Sequence, residues 1–257
     1  LYDNNQTGNP IRFPIRYVMA IMGSIGLAII YGFKVNVSVA IVAMVNHTAV
    51  KLSTGPFVWN EPLQGLILSS YFWGYMVSLL PGGRMAELLS AKWVMNGSVL
   101  LNVVASILSP VAAQTHYSLF IVMRFLQGIV QGVTFPAMHV MIAKWAPPNE
   151  RSVLASIVYA GTALGTVISI LLTGILAANF EWVWIFYIEG VLCLIWCTVW
   201  WIMIADSPEE QTKLISEEEK NYIMQSLGQN RNSNEHKRLS VPWSAVLRSK
   251  PFMAILI

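Results

Sequence analysis

Six apolar runs, each long enough to cross a bilayer, leave this sequence little choice but a bundle of membrane-spanning helices. Hydrocarbon offers backbone amides no partner, so a crossing segment must satisfy its own hydrogen bonds, and about 18 apolar helical residues suffice. The runs lie near Tyr17 to Val45, Leu63 to Leu80, Trp93 to Ala113, Ser118 to Trp145, Val153 to Ala178 and Val183 to Ala205. With 257 residues, 55% hydrophobic and only 11% charged, the chain lacks the polar surface a soluble globule needs. The expected fold class is all-α, a polytopic membrane protein.

Orientation follows from Lys and Arg, which cytoplasmic loops retain during insertion. Arg12, Arg16, Arg84, Lys92, Lys144, Arg151, Lys213, Lys220, Arg231, Lys237, Arg238, Arg248 and Lys250 fall on one face, and the opposite loops hold only Lys51. The amino terminus and the segment after the sixth run are therefore expected in the cytoplasm, and the net charge of +3 reflects this topology, with no nucleic-acid partner. Residues 1–16 read as a cytoplasmic segment, 17–205 as the six-helix bundle, 206–248 as a cytoplasmic linker and 249–257 as the start of a seventh helix, broken off. The chain thus reads as the first half of something larger, lacking a carboxy-terminal six-helix half. Within the linker, Ser216 followed three residues later by Glu219 is a capping box, which predicts a short helix ending near Gly228. Asn46-His47-Thr48, at the start of the exterior loop, marks Asn46 as a candidate glycosylation acceptor.

Enzyme chemistry finds no support. There is no phosphate-cradling glycine loop, metal-ligand spacing or nucleophile elbow with the flanks it would need, so neither a metal nor an organic cofactor is expected. Cys193 and Cys197 sit one turn apart inside the sixth run, where no loop disulfide can form between them.

The charges inside the runs are the informative ones. At about 100° per residue, Gln127 and Gln131 share a helical stripe with Arg124. In the first run, Tyr31, Lys34 and Ser38 share another. Placing a guanidinium at membrane depth costs at least about 2.5–3.5 kcal/mol, which a binding role would explain. Both cations lie in the outer half of their helices: Lys34 is roughly 18 Å of helix from Asn46, and Arg124 roughly 12 Å from His116. Two positive groups at similar depth make a site for a small anion arriving between helices, facing a shared water-accessible hollow. Gly161, Gly165, Ser169 and Thr173 recur at four-residue steps and allow close approach of a neighbouring helix. His139 reads as a buried neutral histidine donating to a carbonyl, with a proton relay as the alternative. Glu189, the clear intramembrane acid, is open to helix pairing or to binding a coupling ion.

Several segments together resemble the anion/cation symporter family of the major facilitator superfamily, which includes vesicular glutamate transporters, sialin and type I sodium-phosphate cotransporters. They are YFWGYMVSLLPGGRMA (Tyr71 to Ala86), RFLQGIVQGVTFPA (Arg124 to Ala137), KWAPPNERS (Lys144 to Ser152), FYIEG (Phe186 to Gly190), and SPEE, ISEEEKNYI and VPW in the linker. The resemblance implies the six-helix amino-terminal half of a transporter. It implies that Arg124 is the fourth-span arginine used for anion recognition, and that Lys34 stands where many members have an arginine. The superfamily's loop signature between spans two and three survives as Gly83, Glu87 and Lys92, which makes these gating residues by resemblance. Leu68 stands in place of a histidine of the glutamate-transporting branch, and Gln131 in place of an acid linked there to proton coupling. Both departures point away from glutamate transport and that branch's proton coupling, and Gln131 resembles the phosphate-cotransporter branch. Glu189 replaces an aromatic common in relatives.

The resulting expectation is a secondary active transporter that moves inorganic phosphate or a small organic anion by alternating access, driven by a sodium ion or proton. It would reside in a plasma, vesicular or lysosomal membrane. The substrate-binding candidates are Arg124, Lys34, Gln131, Gln127, Tyr31 and Ser38. The alternatives are a proton-coupled lysosomal or vesicular transporter of sialate or an acidic amino acid, and, from other classes, a seven-helix receptor or a non-transporting membrane scaffold.

Overall fold

The computed structural model describes residues 14–45, 57–212 and 214–228, and these are helical with short connections. Asn46 and the expected seventh span lie outside the described residues. Eight helices follow in order: α1 (Ile15–Val45), α2 (Glu61–Leu88), α3 (Ala91–Thr115), α4 (Tyr117–Gly132), α5 (Thr134–Trp145), α6 (Arg151–Asn179), α7 (Val183–Met203) and α8 (Glu217–Ser226). Five spans are long and apolar enough to cross a membrane, with α4 and α5 counted together, and the bent α2 makes a sixth.

Local chemistry sets the helix ends. The Asn60 side chain accepts from the Leu63 amide and Pro62 follows in the first turn of α2, while Ser90 accepts from Trp93 at the start of α3. Two proline effects depart from the expected spans. Span two does not stop at Leu80: α2 continues to Leu88, bending by 51° where Pro81 begins its second segment. Proline has no amide to give the carbonyl four residues back, so the helix kinks without ending. The expected loop around Gly83 and Glu87 is consequently helix. The fourth span, read as continuous, breaks at Val133 into α4 and α5, because Pro136 cannot donate to the carbonyl of Gly132.

The bundle is held by two close seams, α1 against α6 and α2 against α4, with α3 bridging α4 and α7. Small residues make both seams. A Cβ on Gly161 would lie 2.0 Å from the Ser24 carbonyl oxygen, and one on Gly165 would lie 2.3 Å from Ala28. The four-residue ladder read in the sequence is therefore the face that α6 buries on α1. Two apolar cores form. One, near the α8 end, includes Met19, Leu27, Met95, Trp145 and Trp200; the other, at the far end, includes Ile41, Trp59, Phe120 and Phe186. Between them lies a layer of buried polar residues, Asn36, Ser109, Arg124, Gln127, Gln131, Ser169 and Thr173.

Charged clusters tie the helix ends at the α8 side. The Arg16 guanidinium bonds Glu150 at 2.8 Å and Glu219 at 3.1 Å. Ser216 caps α8 as expected, accepting from the Glu219 amide at 3.2 Å, but the Glu219 carboxylate does not close the capping box. It accepts instead from the Ile15 and Arg16 amides, capping the start of α1 from another helix. Asp206 bonds Ser90, the Lys92 amide and Lys144, which ties α3, α5 and the end of α7.

The Arg16 hydrogen bond holds the Glu150 carboxyl below its usual range. Burial pushes the Asp206 carboxyl up, but Lys144, the Lys92 amide and the Ser90 hydroxyl outweigh it, and this group too sits low. A carboxyl depressed in the folded state adds stability that is complete above the unfolded value of about 4 and is lost as pH falls through the lower folded value. Thermal unfolding in detergent should therefore shift to lower temperature as pH drops below about 4. Asp206→Asn should lower the midpoint at neutral pH by several degrees, for a loss of about 1–3 kcal/mol, and flatten the acid dependence.

Candidate functional site

Arg124 sits in the polar layer and is fully buried. Its Nη1 donates to the Gln127 Oε1 at 2.8 Å, one turn along α4, and to the Phe33 carbonyl of α1 at 3.4 Å. Its guanidinium carbon lies 4.9 Å from the centre of the Tyr71 ring of α2, the geometry of a cation–π contact. Gln127 continues the chain, donating to the Ser109 hydroxyl of α3 at 3.4 Å. Gln131 donates to the Ile30 carbonyl of α1 at 2.7 Å. The stripe expected from helical spacing thus faces inward, with Arg124 and Gln131 bonding α1 and Gln127 bonding α3.

Among the described residues no acid forms an ion pair with Arg124 or Lys34. Among the described residues, the Arg124 Nε, the Tyr71 hydroxyl and the Gln131 Oε1 are buried without a hydrogen-bonding partner. Such groups cost roughly 1–3 kcal/mol each, more when charged. A positive charge held by neutral oxygens and an aromatic face retains its attraction for an anion.

Lys34, half-buried on α1, lies against an aromatic wall. Its ammonium is 5.1 Å from the centre of the Tyr31 ring, 5.0 Å from Phe72 and 5.9 Å from Tyr75. Tyr71 and Tyr75, one turn apart on α2, stack with centroids 6.4 Å apart. The guanidinium lies against Tyr71 and the ammonium against Tyr75, so each cation meets one ring of this stacked pair. Sequence reading named Tyr31 but missed Tyr71, Phe72 and Tyr75. The signal was their spacing in YFWGY, whose one-turn step sets Tyr71 and Tyr75 on one face.

The surface around Lys34 continues along α5 and α6. Phe135 packs edge-on against Tyr31 at 5.8 Å and stacks on Tyr159 at 5.6 Å. His139, expected to be buried and bonded to a carbonyl, is exposed on this face, where its Nδ1 shares a 2.9 Å hydrogen bond with the Tyr159 hydroxyl. Ser38 is exposed one turn beyond Lys34.

The three gating candidates are not gathered into one constellation. Glu87 pairs with Arg84 at 2.7 Å on the outside of α2, since both are on the same helix one turn apart. Lys92 lies over the Trp93 ring at 5.3 Å, and Gly83 packs beside Pro136.

The model of the Major Facilitator Superfamily matches residues 18–257, and the chain belongs to that superfamily. Within it, the chain is 39% identical over 251 residues to vesicular glutamate transporter 3 of Danio rerio, covering 95% of this chain and 42% of the relative. It is 38% identical to human sialin over 269 residues, covering 96% of this chain and 53% of the relative. The chain therefore spans about half the length of the relatives it matches. In structure it is similar to the inward-open xylose transporter XylE from E. coli, with a TM-score of 0.64 at 15% identity over 90% of this chain and 59% of that one. It is also similar to a bacterial homologue of the lysosomal transporter Spinster, with a TM-score of 0.59 at 15% identity over 76% of this chain and 44% of that one. At such identities the likeness shows the fold. The fold matches the expected half of a superfamily member, and membership removes the seven-helix receptor from consideration.

Proposed function

We propose that the complete protein is a secondary transporter of a small anion, inorganic phosphate or a small carboxylate, coupled to a sodium ion or proton and working by alternating access. The observation that carries this reading is Arg124: a fully buried guanidinium without an acidic partner among the described residues, held by neutral oxygens and the Tyr71 face. The relatives named as glutamate transporters and sialin support a carboxylate. The absence of an acid at Gln131, where the glutamate-transporting branch has one, favours phosphate.

In this mechanism Lys34 draws the anion to the aromatic face of α1, α2 and α5 as a mobile point charge, and Arg124 binds it with a planar fork. Gln127, Gln131, Tyr31 and Ser38 supply neutral contacts. The glycine-lined seams let the helices tilt as this half rocks against its counterpart, with Gly83, Glu87 and Lys92 at the gate. The amino terminus faces the cytoplasm, as the distribution of basic residues requires.

The test is uptake by the complete protein in liposomes, using labelled phosphate, glutamate and sialate under imposed sodium or pH gradients. At least one anion should accumulate. Lys34→Ala should raise its KM by about tenfold to a hundredfold, the worth of one charged hydrogen bond, with a smaller effect on maximal rate. An unchanged KM would remove Lys34 from the site, and no uptake of any of the three would overturn the transporter reading.

A further inference from the structure

A second intramembrane charge, half-buried, lies across α1 from the anion site, in a place the proposed mechanism does not use. Glu189 of α7 receives the Asn36 side-chain amide on one carboxylate oxygen and the Ser169 hydroxyl of α6 on the other, the latter at 3.2 Å. It lines a groove of about 130 Å³ between α1, α6 and α7, walled mostly by apolar residues such as Ala28, Ile29, Ile168 and Leu172. An ionised carboxylate with only two neutral donors is costly among apolar walls at membrane depth.

Among the described residues, few charges act on it. On α6 its neighbours are Ser169 and, one turn further, the buried Thr173, whose hydroxyl has no partner among the described residues. Gly161, Gly165 and Ser169 meet Ser24, Ala28 and Gly32 in steps of four, and the next step of that register sets Thr173 opposite Asn36. From α3 the side chains approaching the adjacent Gly190 are Val103 and Ile107, and the α3 basic residue, Lys92, lies at its far end. On α7 the nearby titratable groups are Tyr187 and the buried Cys193. On α1 the Lys34 ammonium is occupied with Tyr31, Phe72 and Tyr75. The positive charge whose field reaches Glu189 is Arg124.

We infer that Glu189 is the proton-binding site of the transport cycle, held by Asn36 and Ser169 and coupled through α1 to the anion bound at Arg124. This rests on the transporter reading above and names its coupling ion. The physical link is short: Asn36 is one turn from Phe33, whose carbonyl accepts from Arg124. An anion that neutralises Arg124 withdraws the positive charge that favours the ionised carboxylate. Glu189 then takes a proton from water onto a carboxylate oxygen and gives it back when the anion leaves. By linkage the proton favours the anion equally, which is symport.

The experiment uses the complete protein in liposomes loaded with a pH-sensitive dye, with labelled phosphate and glutamate as probes. In the wild type an acid-outside gradient should speed anion uptake and the anion should carry protons inward. Glu189→Gln should reduce both effects by about tenfold or more, the scale of a coupling energy, while anion-for-anion counterflow at equal pH persists. Glu189→Asp, which keeps the titrating group, should retain the coupling. Counterflow with undiminished proton movement in Glu189→Gln would overturn the inference alone, as would a sodium gradient replacing the pH gradient as the driver. Failure of the wild type to move either anion would overturn the transporter reading and this inference together. Ser169→Ala tests the site without touching the carboxyl: the pH of half-maximal uptake should move by about half a unit, and an unmoved value also contradicts the assignment.

Discussion

Arg124→Ala in the complete protein is expected to reduce anion uptake by about a hundredfold or more while the protein still reaches the membrane. Truncating one partner of a buried, hydrogen-bonded charge interaction costs about 2–5 kcal/mol. The loss here combines two effects. The anion loses its planar donor, and Gln127, the Phe33 carbonyl and the Tyr71 face lose the group that joins α4 to α1 and α2. Arg124→Lys separates them: the charge remains, but one ammonium cannot reproduce a fork that bonds Gln127 and Phe33 while presenting further donors. Its uptake should fall between the alanine variant and the wild type. Initial rates corrected for surface expression provide the measurement, and an alanine variant within twofold of the wild type would rule out an anion-binding role.

Gly128→Val should abolish assembly of the bundle, an effect on the fold itself. At this crossing α2 and α4 touch backbone to backbone: a Cβ on Gly128 would lie 2.0 Å from the Tyr71 carbonyl oxygen, and one on Gly74 would lie 2.1 Å from that of Phe125. Neither neighbour is a side chain that can swing away, so the helices must part. Tyr71 then moves off Arg124, and the site goes with the seam. Size-exclusion of the detergent-solubilised variant should show aggregate in place of a monodisperse peak. Gly97→Ala, on the open side of α3 with nothing within 4 Å of the added carbon, should leave the peak unchanged.

How much of this was legible in the sequence depended on the range of the physics involved. Helix periodicity is local, and it put Arg124, Gln127 and Gln131 on one buried stripe and found the small-residue ladder of α6. It gave no sign of what those groups would meet, since Phe33, Ile30 and Tyr71 are distant in the chain and arrive only through packing. Hydropathy marked the spans but could not see that Pro81 bends a helix without ending it, or that Pro136 breaks one. The Glu219 carboxylate illustrates the same limit. The capping-box pattern located α8 correctly, yet that side chain caps α1, whose free amides were the better bargain once the two ends met. Glu189 was visible as an intramembrane acid open to helix pairing or to a coupling ion, and the sequence left that choice open because Asn36 and Ser169 reach it from two other helices.

The account turns on a water-accessible, anion-binding hollow beside Lys34 and Arg124. Ser38→Cys places a thiol on the exposed face of α1, one turn beyond Lys34, and labelling is read against the unsubstituted protein, in which Cys193 and Cys197 of this half are buried. Labelling of this variant of the complete protein with a membrane-impermeant charged thiol reagent, with and without the transported anion, probes that hollow. The account predicts ready labelling that the anion slows and an uncharged analogue does not. A thiol that stays unreactive, or reacts equally fast with the anion present, would contradict it.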